Sequence, residues 1–151
     1  MFYRSVRSVS LLLAILLAHA VSAQEASPDE QRFVVDIELQ TVEEFHELLQ
    51  RAETLLLEGL IPQNDDVAKV TFVLHGPVVR NLLRQNYLDN KQTVDMAASL
   101  SALGVIDVKA CRTWLGINSV NEADLQPFIE TVSYGPAEVQ VLVKEKNYIY
   151  F

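Results

Sequence analysis

The chain has 151 residues, with 12 Lys and Arg against 20 Asp and Glu, a formal charge of −8, and a single cysteine. An acidic chain with scattered cations repels a polyphosphate, so nucleic acid is not an expected partner, and one cysteine excludes an internal disulfide. The length suits a single domain with one real core.

Arg4 and Arg7 form a basic start, Leu11 to Val21 an apolar run interrupted by His19, and Val21-Ser22-Ala23 a small-residue cleavage site. This is the pattern of a secretory signal over residues 1–23. The run falls short of the roughly 20 residues that cross a bilayer, so no permanent membrane span is expected. The predicted location is periplasmic or secreted. Cleavage removes two of the 12 basic residues and takes the formal charge from −8 to −10. Export also leaves the lone thiol in an oxidising compartment, where it must be either sheltered or used.

Gln24 to Gln31 is polar, contains Pro28 and reads as a flexible leader, so the domain is expected over residues 32–151. Phe33, Val35, Ile37 and Leu39 alternate with Asp36 and Glu38, which predicts a first strand. Thr41 and Glu44 form a capping box, and Val42, Phe45, Leu49, Ala52 and Leu56 repeat at helical spacing up to Gly59. Ile61 to Asp66, with Pro62 and Asn64, has loop composition. Val70 to Leu74 is almost wholly apolar, as suits a central strand covered on both faces.

After His75, Gly76 and Pro77, the spacing of Val78, Val79, Leu82 and Leu83 predicts a helix that starts at the proline. Another follows through Val94, Met96, Ala97, Leu100 and Leu103 to Gly104. Val105 to Ala110 is the third strand. Asn121 is placed to cap a short turn, Ile129 to Tyr134 is a fourth strand, and Gly135-Pro136 opens a last helix with Val139, Leu142 and Val143 inward. Tyr148 to Phe151 is a terminal strand. This alternation implies a three-layer α/β sandwich around a parallel sheet.

The stretch VIDVKACRTWLGIN, Val105 to Asn118, holds the most chemistry. Ile106, Val108 and Ala110 share one side of a strand, so Asp107, Lys109 and Cys111 share the other, more polar side, where the thiol should be reachable. A helix starting after Cys111 would bring its N-terminal dipole to the sulfur and favour thiolate, and Arg112 would add to that. The alternative is an inert packing cysteine. Ligands of an open parallel sheet gather at the carboxyl ends of the strands, which makes His75 a candidate neighbour of Cys111 and Trp114 a candidate apolar wall.

A cysteine hydrolase would need an orienting group and an oxyanion hole. A metal site would draw on Cys111, His75 and His46, but their spacing is that of no zinc or haem motif, so no metal is expected. No phosphate loop or dinucleotide fingerprint is present and no cofactor is expected. His75 has a bland reading as a strand-end histidine bonded to backbone, and Arg112 and Trp114 as packing residues.

The segments VTFVLHGP, LSALGVIDVKACRTWLGIN and DLQPFIETVSYGPAEVQVLVKEKNYIY together resemble the DsrE/DsrF-like family of small sulfur-handling proteins, in its exported branch, over Val70 to Tyr150. Asn147 stands where that branch usually has glycine. The resemblance implies an α/β/α sandwich with a five-stranded, mainly parallel sheet, often assembled into homo-oligomers, trimers or hexamers. It also implies a sulfur carrier or sulfurtransferase-like relay in which Cys111 holds a persulfide, with His75 and Gly76 matching the family pattern and donor and acceptor unnamed. The competing expectation is a non-catalytic module that binds a small ligand or protein on the same fold.

Overall fold

The structure, a computed structural model, describes residues 31–36, 38–60 and 68–151. The signal over 1–23, the leader up to residue 30, Ile37 and the loop containing Pro62 and Asn64 lie outside the described residues.

Chain order gives β1 (Phe33–Val35), α1 (Val42–Leu57), β2 (Val70–Leu74), two 3-10 turns (Pro77–Leu82 and Arg84–Asn86) and α2 (Lys91–Ala102). There follow β3 (Ile106–Cys111), α3 (Arg112–Ile117), a 3-10 turn (Glu122–Asp124), β4 (Ile129–Val132), α4 (Gly135–Glu145) and β5 (Ile149–Tyr150). The described strands make one five-stranded sheet in the order β4-β3-β2-β1-β5, with every pairing parallel. The expected α/β sandwich is present, and its sheet is wholly rather than mainly parallel.

Local chemistry explains most of the elements. The Thr41 hydroxyl accepts the Glu44 N–H at 3.2 Å while Glu44 accepts the N–H groups of Gln40 and Thr41, so the first turn of α1 leaves few donors unpaired. Gly59 and Gly104, with φ of +71° and +68°, follow α1 and α2 in the left-handed region that a side chain disfavours. Asn147, φ +58°, does the same after α4.

The three layers are unequal. The chain steps from β1 to β4 in one direction, and α1, α2 and α3 cover one face together with the 3-10 turns; Phe45, Leu49, Phe72, Leu82, Ile106 and Leu115 belong to that main core. To pair with β1, β5 must return past three strands, and a right-handed crossover in the reversed direction carries α4 to the opposite face. There α4 buries only a small cluster, Val34, Val73, Val139, Leu142 and Tyr148. Its first turn starts beside the end of β3, which decides the surroundings of the cysteine.

Two expected elements differ. The helix predicted from Pro77 is instead a short 3-10 segment that ends at Leu82, because Leu83 adopts an extended conformation (ψ 145°) and bridges Leu125 antiparallel. The first strand stops at Val35, since Asp36 leaves the ladder and its carboxylate bonds His75. Leu39 is nonetheless buried in the main core, so the alternation that predicted a longer strand reported burial rather than pairing.

Candidate functional site

Cys111 is the last residue of β3, registered against Val132 of β4. Strand alternation puts it on the side of Asp107 and Lys109, as expected, while Ile106, Val108 and Ala110 enter the main core. That side is not open at its end. Cys111 is 3% exposed, so the expectation of a reachable thiol is corrected: α4 closes over the strand.

The helix that meets the sulfur is also not the expected one. Cys111 precedes α3, but its side chain makes no capping bond there, and the donor to Sγ is the Gly135 N–H of α4 at 3.3 Å. Gly135 sits tightly among three side chains. A Cβ at this position would lie 3.3 Å from Val73 Cγ1 and 3.5 Å from both Cys111 Cβ and His75 Cδ2. His75 and Cys111 therefore flank the same glycine, as the strand-end rule suggested. The imidazole presents a ring carbon to that glycine and gives Nε2 to Asp36 Oδ1 at 3.2 Å, so the ring nitrogen seen to be engaged serves Asp36 rather than the sulfur.

The remaining supporting residues divide. Gly76 is buried and abuts the preceding link: a Cβ would meet the Leu39 carbonyl oxygen at 2.7 Å and Glu38 Cγ at 2.9 Å. Arg112 turns its Nε to Glu122 at 2.9 Å, and Glu122 also accepts the Thr131 hydroxyl at 2.8 Å, so the guanidinium ties α3 to β4 instead of contacting sulfur. The Thr131 hydrogen bond, with Arg112 behind it, outweighs desolvation and holds the Glu122 carboxyl below its ordinary range. Trp114 packs against the main core on the other face of the sheet, with Arg80 over its ring at 5.7 Å, and is no wall for the cysteine. His46 bonds Thr93 between α1 and α2 and does not join Cys111 and His75.

A hollow of about 330 Å³ lies between β4 and the first turns of α3 and α4, lined by Arg112, Thr131, Val132, Ser133, Tyr134 and Glu138 among others. Cys111 does not line it, although its neighbour Val132 does. Hollows of about 410 and 580 Å³ open between α1 and α2, and neither is lined by Cys111, His75 or any strand residue, whereas the 330 Å³ hollow is lined by two neighbours of the strand end, Arg112 of α3 and Val132 of β4.

Below the sulfur the same sheet face carries charge. Lys109 Nζ bonds Glu138 Oε1 of α4 at 2.7 Å. Burial lowers the Lys109 ammonium, but the Glu138 bond and the charges of Glu138, Asp107 and Glu130 outweigh it and raise it above its ordinary value. Asp107 is raised, first by burial and then by the Glu130 charge, with Lys109 opposing. A carboxyl raised in the folded state costs stability while ionised, and that cost vanishes as acid protonates it in both states. Asp107→Asn is expected to stabilise the protein at neutral pH by on the order of 0.5 kcal/mol after solvent screening. Urea unfolding should show the gain near neutrality and none below the ordinary carboxylate range; a less stable Asn variant at neutral pH would mean that attraction to Lys109 dominates.

Sequence reasoning missed Asp36 and Glu138 as parts of this site. Both reach it from distant segments, and only the strong Thr41–Glu44 start of α1 and the Gly135-Pro136 start of α4 hinted at where those segments turn.

No known protein-family model matches the chain, and no curated protein matches it. Among solved structures, it is similar to MTH1491 from Methanobacterium thermoautotrophicum, a protein of unknown function. The TM-score is 0.62 at 18% identity, over 80% of this chain and 97% of that one. At that identity the likeness shows the fold alone. No helix of the described residues is long and apolar enough to cross a membrane.

Proposed function

We propose that this chain is an exported sulfur carrier that holds sulfane sulfur on Cys111 as a persulfide, in the manner of the sulfur relays its sequence resembles. The observation that carries the reading is the Gly135 N–H donated to Cys111 Sγ at the carboxyl edge of the sheet. That bond fixes the sulfur at the strand end, where a sulfur-carrying cysteine must meet its donor, and the thiolate is the nucleophile in thiol exchange. In loading, the Cys111 thiolate attacks a sulfane sulfur of a polysulfide; the new S–S bond forms as the old one breaks, and the shortened polysulfide leaves with the electron pair. In delivery, an acceptor thiolate attacks the outer sulfur and Cys111 departs as thiolate. Secretion through residues 1–23 and assembly into a trimer or hexamer belong to the same proposal.

The test is intact-mass measurement after polysulfide or thiosulfate treatment. The expected result is an adduct of about 32 Da per sulfur, removed by reductant and absent from Cys111→Ser. A native protein that takes up no sulfur from either donor overturns the carrier reading.

The 3% exposure of Cys111 favours a second reading, a non-catalytic module that binds a small ligand or a protein and in which the cysteine only packs. Alkylation of Cys111 confined to globally unfolded protein, together with no sulfur adduct, would select it.

A further inference from the structure

A sulfur that is buried, while its neighbours Arg112 and Val132 line a surface hollow, needs an opening, and the elements around it differ in how firmly they are held. Behind Cys111 stand the central strands β2 and β3 with the main core under them. In front stands the first turn of α4, with Val132 of β4 beside it. The apolar anchors of that helix, Val139 and Leu142, begin a turn further along, with Val34, Val73 and Tyr148 beneath them. Ahead of these anchors, Tyr134 and Ala137 are exposed, and Tyr134 is an extended N-cap without a side-chain cap bond.

Two polar contacts bind the turn to β3: the Gly135 N–H to Cys111 Sγ and the Glu138 carboxylate to Lys109. The first is a weak bond to sulfur. The second joins two partly buried charges, with side-chain exposures of 16% and 23%, and the ammonium stays charged through neutral pH. Tyr134 and Glu138 also line the hollow, so lifting this turn about Val139 joins the hollow to the sulfur.

We propose that the first turn of α4, Tyr134 to Glu138, is the movable cover of Cys111, and that Lys109 and Glu138 are positioning residues whose ion pair latches it shut. The inference deepens the carrier reading, on which it rests only for its use, by stating how a donor or acceptor gains the thiol. A latch made of opposite charges also suits release by a partner that competes for either one.

The test is the rate of Cys111 alkylation by iodoacetamide in the native full chain, read by intact mass across low urea concentrations. Glu138→Gln and Lys109→Met are each expected to speed the reaction roughly tenfold, with a rate almost independent of urea, because local opening exposes little surface. Asp95→Asn, which removes a partner of Lys91 and Tyr87 on α2, is expected to leave the rate unchanged. Rates in both variants within about twofold of the parent overturn the latch, as does acceleration with the steep urea dependence of global unfolding. A parent rate equal to that of the denatured chain removes the cover itself. Iodoacetamide reports access whatever the cysteine does, so a latch that passes while no persulfide forms leaves this inference standing and the carrier reading fallen.

Discussion

Phe72→Ala is expected to lower the stability of the fold by about 3–5 kcal/mol, the range for removing a buried aromatic ring. Phe72 is fully buried in β2, between β1 and β3, and meets Phe45 of α1 edge-on with ring centres 5.3 Å apart at 83°. Phe151 also meets it, at 6.5 Å and 63°, and itself lies beneath Arg51 of α1 at 4.6 Å. The ring thus joins the sheet, the first helix and the chain terminus. Its neighbours are held in three separate elements, so they cannot collapse together into the space it leaves. For a single domain stabilised by about 5–15 kcal/mol, the loss is roughly a fifth of the total or more. Urea unfolding measures it; a loss under about 1.5 kcal/mol would show that the C-terminal ring does not pack on β2 as described.

The main core is legible in the sequence and the site much less so, because the two are built from contacts of different range. Core positions announce themselves by local period: Phe45, Leu49 and Ala52 repeat along α1, and Ile106, Val108 and Ala110 alternate along β3. That alternation also put Cys111 on the side of Lys109. What it does not contain is the segment that later lies on top. Gly135 reaches Cys111 from 24 residues downstream, and Asp36 reaches His75 from 39 residues upstream, through crossovers whose side is set by topology rather than by neighbouring residues. Trp114 lies on the face away from Cys111 for a related reason. Beyond Cys111 the chain turns about 100° per residue instead of 180°, so a side chain three positions past the strand follows Leu115 to the opposite face. The stop at Pro77–Leu82 depended on a bridge from Leu83 to Leu125, equally invisible to a local window.

Gly76→Ala provides the matching experiment at the site, with an expected cost of about 2–3 kcal/mol, because a methyl group has no space in this well-packed link. The position does not need left-handed backbone: φ is −125°, which any residue adopts. The obstacle is contact. The new Cβ would stand 2.7 Å from the Leu39 carbonyl oxygen and 2.9 Å from Glu38 Cγ. The Glu38 side chain is exposed and can swing aside, but the carbonyl is backbone, and it already accepts the Val78 N–H at 3.3 Å. Relief therefore requires moving the link from β1 to α1 or the turn after β2. Asp36 begins the first and His75 precedes the second, so the same movement pulls at their 3.2 Å bond. The matched control is Gly116→Ala in α3, where a Cβ would meet nothing within 4 Å. That substitution is expected to be neutral or to stabilise by up to about 1 kcal/mol, the usual helix gain of alanine over glycine. Thermal unfolding of the two variants, with NMR of the His75 ring as a local reporter, separates the outcomes. Equal stability of the pair would mean that the turn after β2 does not press on Leu39, and the link between Asp36 and His75 would lose its structural support.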